Sequence, residues 1–202
     1  MNILVLVSGN GTNLQALLDA ERAGAFSDRA KITAVLSDRS GIYALERAKT
    51  AGIPAFTEKP DYNIPVNERR REHGDRILRL CRQKQINLIV FAGFLSILAG
   101  DIIKEYAGKM INIHPALLPK FGGQGMYGEN VHRAVLEAGE KESGCTVHFV
   151  DSGTDTGPIL LQRRVPVLQG DTPSSLAERI HKEEHIAIVE AVKQLTDPQE
   201  SP

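Results

Sequence analysis

The chain has 202 residues, 42% of them apolar and 24% charged, with 18 Gly and 10 Pro, which is the composition of one folded domain and excludes a mainly disordered chain. Its 24 Lys and Arg against 25 Asp and Glu leave a net charge of -1, excluding the whole-protein basic field that drives nucleic-acid or membrane-surface binding; any anion site must be local. The longest apolar run, 88–94, is far shorter than the roughly 20 residues a membrane helix needs.

The start, Met-Asn-Ile-Leu-Val-Leu-Val, has no basic region or cleavage signal, so no secretory signal is expected. Cys81 and Cys145 fit a reducing cytoplasm and form neither a disulfide framework nor a metal-binding CxxC pair. Periodicity predicts a buried strand over 3–8 and a helix over 13–25, then a strand over 31–37, a helix over 42–51 and a short strand at 54–56. A long charged helix follows over 66–84, then a strand over 88–92, a helix around 96–106, a strand over 110–113 and an irregular stretch over 115–128. Near-continuous apolar strands separated by helices imply a doubly wound α/β fold with a mostly parallel sheet. Two further strands, 146–150 and 159–167, are joined by the turn-rich 151–158 and must therefore be antiparallel neighbours. A last helix runs from about 172 to 195, with Pro173 in its first turn and Pro198 stopping it.

Three segments carry chemistry. Ser8-Gly9-Asn10-Gly11-Thr12-Asn13-Leu14 joins a strand to a helix, where backbone N–H groups and the helix dipole favour an anion. A dinucleotide fingerprint is disfavoured, because Leu14 stands where the third glycine belongs and Asp38 lies beyond the second strand beside Arg39. A monophosphate site fits better, although a plain tight turn would also use these glycines. In Met110-Ile111-Asn112-Ile113-His114-Pro115, Asn112 and His114 project to one side at the carboxyl end of a strand, where open α/β sheets bind ligands. The turn Asp151-Ser152-Gly153-Thr154-Asp155-Thr156-Gly157-Pro158 carries two carboxylates, which either close the turn or serve the site. An Asp reaching His114 beside Asn112 would hold the imidazole protonated and leave two donors for an oxyanion, the equipment of direct acyl transfer without a covalent intermediate.

Together with Phe91-Ala92-Gly93-Phe94, Leu118-Pro119 and Thr146-Val147-His148-Phe149-Val150, these motifs resemble the phosphoribosylglycinamide formyltransferase family of de novo purine synthesis, in order over nearly the whole chain. The resemblance implies a Rossmann-like formyltransferase fold, doubly wound, with a C-terminal antiparallel hairpin and a final helix, in a single domain over 1–202. Residues 1–100 would form a phosphate-binding half and 101–202 a catalytic and folate-binding half. It implies transfer of a formyl group from 10-formyltetrahydrofolate to the amine of glycinamide ribonucleotide, with no metal, no nucleic acid and no membrane partner, by a cytoplasmic monomer or homodimer. The catalytic residues would be Asn112, His114 and Asp155. Gly11, Thr12, Asn13, His181, Lys182, Glu183 and Glu184 would bind the ribonucleotide. Arg70, Leu95, Ser96, Ile97, Leu98, Asn112, Asp151, Ser152, Gly153, Thr154 and Asp155 would bind the folate. Two departures stand out: Ser96 replaces an arginine that some relatives carry, and 121–128 is longer and richer in glycine than expected, as a lid would be.

Other readings attach to single features. His181-Lys182-Glu183-Glu184-His185 has the H-x-x-E-H spacing of a zinc peptidase, but little chain follows to supply a third ligand. A formyltetrahydrofolate hydrolase or a methionyl-tRNA formyltransferase would carry an extra domain that this chain has no room for. A non-catalytic nucleotide-binding module would need the glycine loop alone. His73 and His132 read as surface residues, His148 as a hydrogen-bonded strand residue, and Cys145 as structural.

Overall fold

A computed structural model describes residues 1–196; Pro198 lies outside the described residues. In chain order the elements are β1 (Asn2–Val7), α1 (Thr12–Arg22), a short 3-10 turn, β2 (Lys31–Ser37), α2 (Tyr43–Thr50), β3 (Ala55–Thr57), α3 (Val66–Gln83) and β4 (Leu88–Phe91). Then come α4 (Asp101–Glu105), β5 (Met110–His114), α5 (Glu129–Glu137), β6 (Glu142–Phe149), β7 (Ile159–Pro166) and α6 (Pro173–Thr196). One seven-stranded sheet runs β3-β2-β1-β4-β5-β6-β7. β1 to β5 pair in parallel; β6 is antiparallel to both β5 and β7.

β1 is apolar throughout because both faces are covered. Ile3, Val5 and Val7 enter a core with Leu14 and Leu17 of α1 and Ile180, Ile188 and Val192 of α6. Leu4 and Leu6 enter a second core with Ile77, Leu78 and Cys81 of α3 and Ile102 of α4. α6 starts as its sequence requires: Pro173 takes the first helical position, where its missing N–H costs nothing. Thr172 and Ser175 cap it reciprocally, Ser175 N–H donating to Thr172 Oγ1 at 3.2 Å and Thr172 N–H to Ser175 Oγ at 3.0 Å.

Three expectations change. The helix expected around 96–106 shrinks to α4, because Gly100 (φ 90) breaks the backbone and Ala99 N–H donates across to Arg70 O at 3.1 Å. α5 was not read from the sequence at all: it is short, follows a glycine-rich stretch, and buries Val131, His132 and Val135 on one face. β6 begins at Glu142, four residues before its expected start, because Glu142 to Cys145 pair with Arg163 to Pro166 of β7.

The chain leaves β1 toward β2 and β3 on one side, then returns to β4 on the other. The crevice thus opens at the carboxyl ends of β1 and β4, the place where open α/β sheets bind ligands. Ser8 ties the two ends together, its N–H donating to Gly93 O at 3.1 Å and its Oγ accepting from Leu95 N–H at 2.8 Å.

The β6–β7 hairpin closes over a buried glycine: a Cβ on Gly157 would lie 1.9 Å from Phe149 O. Gly157→Ala is therefore expected to destabilise the fold by about 1–3 kcal/mol, read as a drop in thermal midpoint, and to lower any activity that depends on Asp155 two residues away.

Candidate active site

A cleft of about 800 Å³ runs along the carboxyl edge of the sheet from the α1 amino terminus to Leu95–Leu98. At one end Gly11 (φ 76) is the N-cap of α1, and a Cβ there would lie 2.6 Å from Ala44 Cβ, so only glycine fits. No side chain caps this helix, which leaves the N–H groups of its first turn open toward the cleft and makes an anion cradle. Thr12 and Asn13 line the cleft instead of capping. Arg47 braces the loop from behind, donating from Nε to Asn10 O at 2.9 Å while stacked on Tyr43.

In the middle of the cleft, β5 presents Asn112 and His114 from one side of the strand. Asp155, at φ 58 in its turn, sits between His114 and His148: Oδ2 is 3.6 Å from His114 Nδ1 and Oδ1 is 3.5 Å from His148 Nε2. Gly123 N–H donates to Oδ2 at 3.0 Å. Burial raises the Asp155 pKa, but His148, the Gly123 N–H and His114 outweigh it, so the carboxyl stays below the usual carboxylate range and is ionised at neutral pH. His148, the cross-strand partner of Asn112, has its Nδ1 2.9 Å from Phe149 O and its Nε2 3.1 Å from the Asn112 amide nitrogen. His114 Nε2 donates to Phe121 O at 2.8 Å. Burial lowers the His114 pKa more than Asp155 and Phe121 O raise it. The direction opposes the expectation that Asp155 holds His114 cationic. The wall behind is rigid, as the prolines suggested: Thr146 Oγ1 donates to Ala116 O at 2.6 Å and accepts from Leu118 N–H at 3.0 Å.

α6 adds His181 and Glu184, one turn apart on one face, with His181 Nε2 3.6 Å from Glu184 Oε2. Glu184 is 5% exposed; burial pushes its carboxyl up to about 7, only partly offset by Asn13. Lys182 and Glu183 do not line the cleft: Lys182 is exposed, and Glu183 accepts from Arg163 Nε at 2.6 Å. With Glu184 buried against α1, the H-x-x-E-H residues do not gather around a common point, and no group of three or more metal-ligating side chains occurs among the described residues.

At the far end Arg70, Leu95, Ser96, Ile97 and Leu98 line the cleft, while Arg71 packs against Gly100. Ser96 Oγ is engaged, donating to the buried Asp38 at 2.7 Å. Asp151, Gly153 and Thr154 line it too; Ser152 does not. Two histidines read from the sequence as surface residues are buried: His73, 1% exposed, with Nε2 2.9 Å from Glu58 O, and His132, 3% exposed, which lines the cleft from α5. His132 lies in no motif, and His148, though inside the Thr146–Val150 motif, reads from it only as a strand residue. Only the alternation of Thr146 and His148 along β6 hints at a polar face, and the register that points it at Asn112 is not written in that alternation.

An amide, an imidazole and a carboxylate thus converge in one cleft that also holds an uncapped helix terminus. The chain belongs to the formyl transferase family, whose profile matches residues 1–192. It is 37% identical over 185 residues to the phosphoribosylglycinamide formyltransferase of Escherichia coli (strain K12), covering 92% of this chain and 82% of that one. It is 42% identical over 196 residues to the trifunctional purine biosynthetic protein adenosine-3 of Drosophila melanogaster, covering 96% of this chain but 14% of that one. The crystal structure of glycinamide ribonucleotide transformylase 1 from Symbiobacterium toebii matches with a TM-score of 0.87 at 39% identity, over 97% of this chain and 87% of that chain.

The buried Glu184 makes stability depend on pH. A carboxyl raised from 4.5 to about 7 on folding contributes stability that is fully present below pH 4.5 and lost as pH rises through 7. Glu184→Gln, which cannot ionise, should therefore melt higher than the parent at about pH 8, by up to about 3 kcal/mol, with the gap closing toward about pH 5. Equal melting temperatures at both pH values would show that Glu184 titrates as an exposed residue.

Proposed function

We propose that the chain transfers the formyl group of 10-formyltetrahydrofolate to the amine of N1-(5-phospho-D-ribosyl)glycinamide. The observation that carries this reading is the single cleft in which Asn112, His114 and Asp155 stand between an uncapped helix terminus and an apolar far end. The names of the Escherichia coli and Symbiobacterium relatives support it.

The ribonucleotide phosphate lies at Gly11, Thr12 and Asn13, with Glu184 accepting from ribose hydroxyls and His181 beside it. The folate occupies the end lined by Arg70, Leu95–Leu98, Asp151, Gly153 and Thr154, with Arg70 rather than Arg71 as its basic contact, because Arg70 lines the cleft. The ribonucleotide residues come from both halves of the chain, so the one domain works as a single unit. The neutral amine attacks the formyl carbon, and the developing oxyanion replaces Phe121 O at His114 Nε2–H and takes a second bond from the Asn112 amide. Ionised Asp155 stabilises the positive charge that grows on the attacking nitrogen. A water held by Asp155 relays one proton from that nitrogen to the departing folate nitrogen, so the net reaction exchanges one N–H for one N–CHO. Two free, buried cysteines and a net charge of -1 support a cytoplasmic enzyme acting on small molecules.

His114→Ala and Asn112→Ala should each lower turnover by about 100- to 1000-fold, followed by the absorbance of the folate product, while ribonucleotide binding is kept. Unchanged turnover overturns these roles. Hydrolysis of the formyl donor at the same rate with and without the acceptor overturns the transferase reading itself.

A further inference from the structure

The reading above, on which this inference rests, leaves the charge of the phosphate without a counter-ion. Arg70 is the one Lys or Arg among the cleft-lining residues, and it stands at the opposite end, beside Leu95, Ser96 and Ile97. The α1 terminus supplies N–H groups and a partial charge, but a dianion taken out of water needs more than that.

Two imidazoles are placed to supply it. His132 lines the cleft from α5, is 3% exposed, and has a buried Nδ1 with no hydrogen-bond partner. Leaving such an atom unpaired costs about 1–3 kcal/mol, so its placement asks for a ligand. His181 lines the same cleft from α6 and lies close enough to His132 for the two rings to repel each other's charge. We propose that His132 and His181 form the proton-dependent half of the anion subsite: a phosphate monoester dianion binds at the α1 terminus together with one proton, taken from solvent by this imidazole pair, and the imidazolium supplies the counter-charge.

Burial pushes His132 down to about 4, and desolvation also lowers His181 although its side chain is 52% exposed, so both rings are neutral at neutral pH. His132 sees His181 from α6, His114 from β5 and Glu129 from its own helix. His181 sees Glu178 and Glu184 from its own helix and bears on His185. Glu184 is the competing proton acceptor, and the test must separate it. A phosphate monoester is already a dianion above about pH 6, so protons taken up in mildly alkaline buffer belong to the protein.

The test is calorimetric titration of ribose 5-phosphate into the intact protein at about pH 7.5 in two phosphate-free buffers of different ionisation enthalpy, with formyl transfer assayed on the same preparation. Uptake approaching one proton per bound phosphate is expected, with Kd rising toward about tenfold per pH unit above that pH, since proton and phosphate must strengthen each other reciprocally. The double variant His132→Asn with His181→Asn should lose the uptake and most of the pH dependence, and bind about tenfold more weakly or worse. Glu184→Gln should keep the uptake. Equal heats in both buffers, uptake that survives in the double variant or vanishes in Glu184→Gln, or no saturable binding by a correctly melting parent would each overturn the proposal. A parent that formylates the ribonucleotide yet binds phosphate without proton uptake overturns this inference alone. A parent with the uptake but no transfer overturns the formyltransferase reading alone.

Discussion

A carboxylate that is 11% exposed must find partners or lose its charge, and Asp155 finds them in three separate stretches of chain: His114 on β5, His148 on β6 and the Gly123 N–H of the glycine-rich loop. That requirement organises the middle of the molecule. It accounts for the left-handed backbone at Asp155, which short polar side chains tolerate better than others, and for Gly122, where a Cβ would lie 2.5 Å from a Leu118 methyl and 3.2 Å from Asp155 Cβ. The loop over 121–128 is thereby fastened to the site at two points, Phe121 O on His114 and Gly123 N–H on Asp155. A ligand that takes either contact competes directly with loop closure, so loop motion and chemistry share the same few bonds.

The sheet supplies the rest of the frame. Its parallel part delivers the uncapped α1 terminus and the Ser8–Gly93 stitch at the reversal of strand order, while its antiparallel part brings a hairpin turn back over β5. Neither part makes the site alone: the donors come from β5, the carboxylate from the hairpin, and the anion cradle from the first βα turn. Packing α6 between α1 and the helix α5 then closes the acceptor end with Glu184, His181 and His132. In a protein of nearly zero net charge, the uncapped helix terminus is a local feature that favours an anion.

Much of this is legible in the chain. Continuous apolar runs flanked by glycine loops mark β1, β2, β4 and β5, because a strand buried on both faces has no polar alternation to hide it. The Asn112/His114 spacing puts both residues on one face at a strand end, and the short 151–158 connection imposes the hairpin. The failures have one cause. His73 and His132 sit in charged helices and read as solvated, yet each turns to the interior on the face that packs. The segment before α4 carries helix-compatible residues, but Gly74 lets Ala99 O approach α3, where a Cβ would lie 2.3 Å away, and that contact holds the segment outside a helix.

Sequence alone determined which residues could do chemistry and which strand ends would carry them, since those follow from side-chain type and from local periods of two and three to four residues. Tertiary structure decided their partners and their charge. The antiparallel register pairs Asn112 with His148, the depth of burial lowers the pKa of His114 and raises that of Glu184, and the packing of α5 on α6 places His132 beside His181. Each of these rests on distance and desolvation between residues remote in the chain, and no local pattern encodes either.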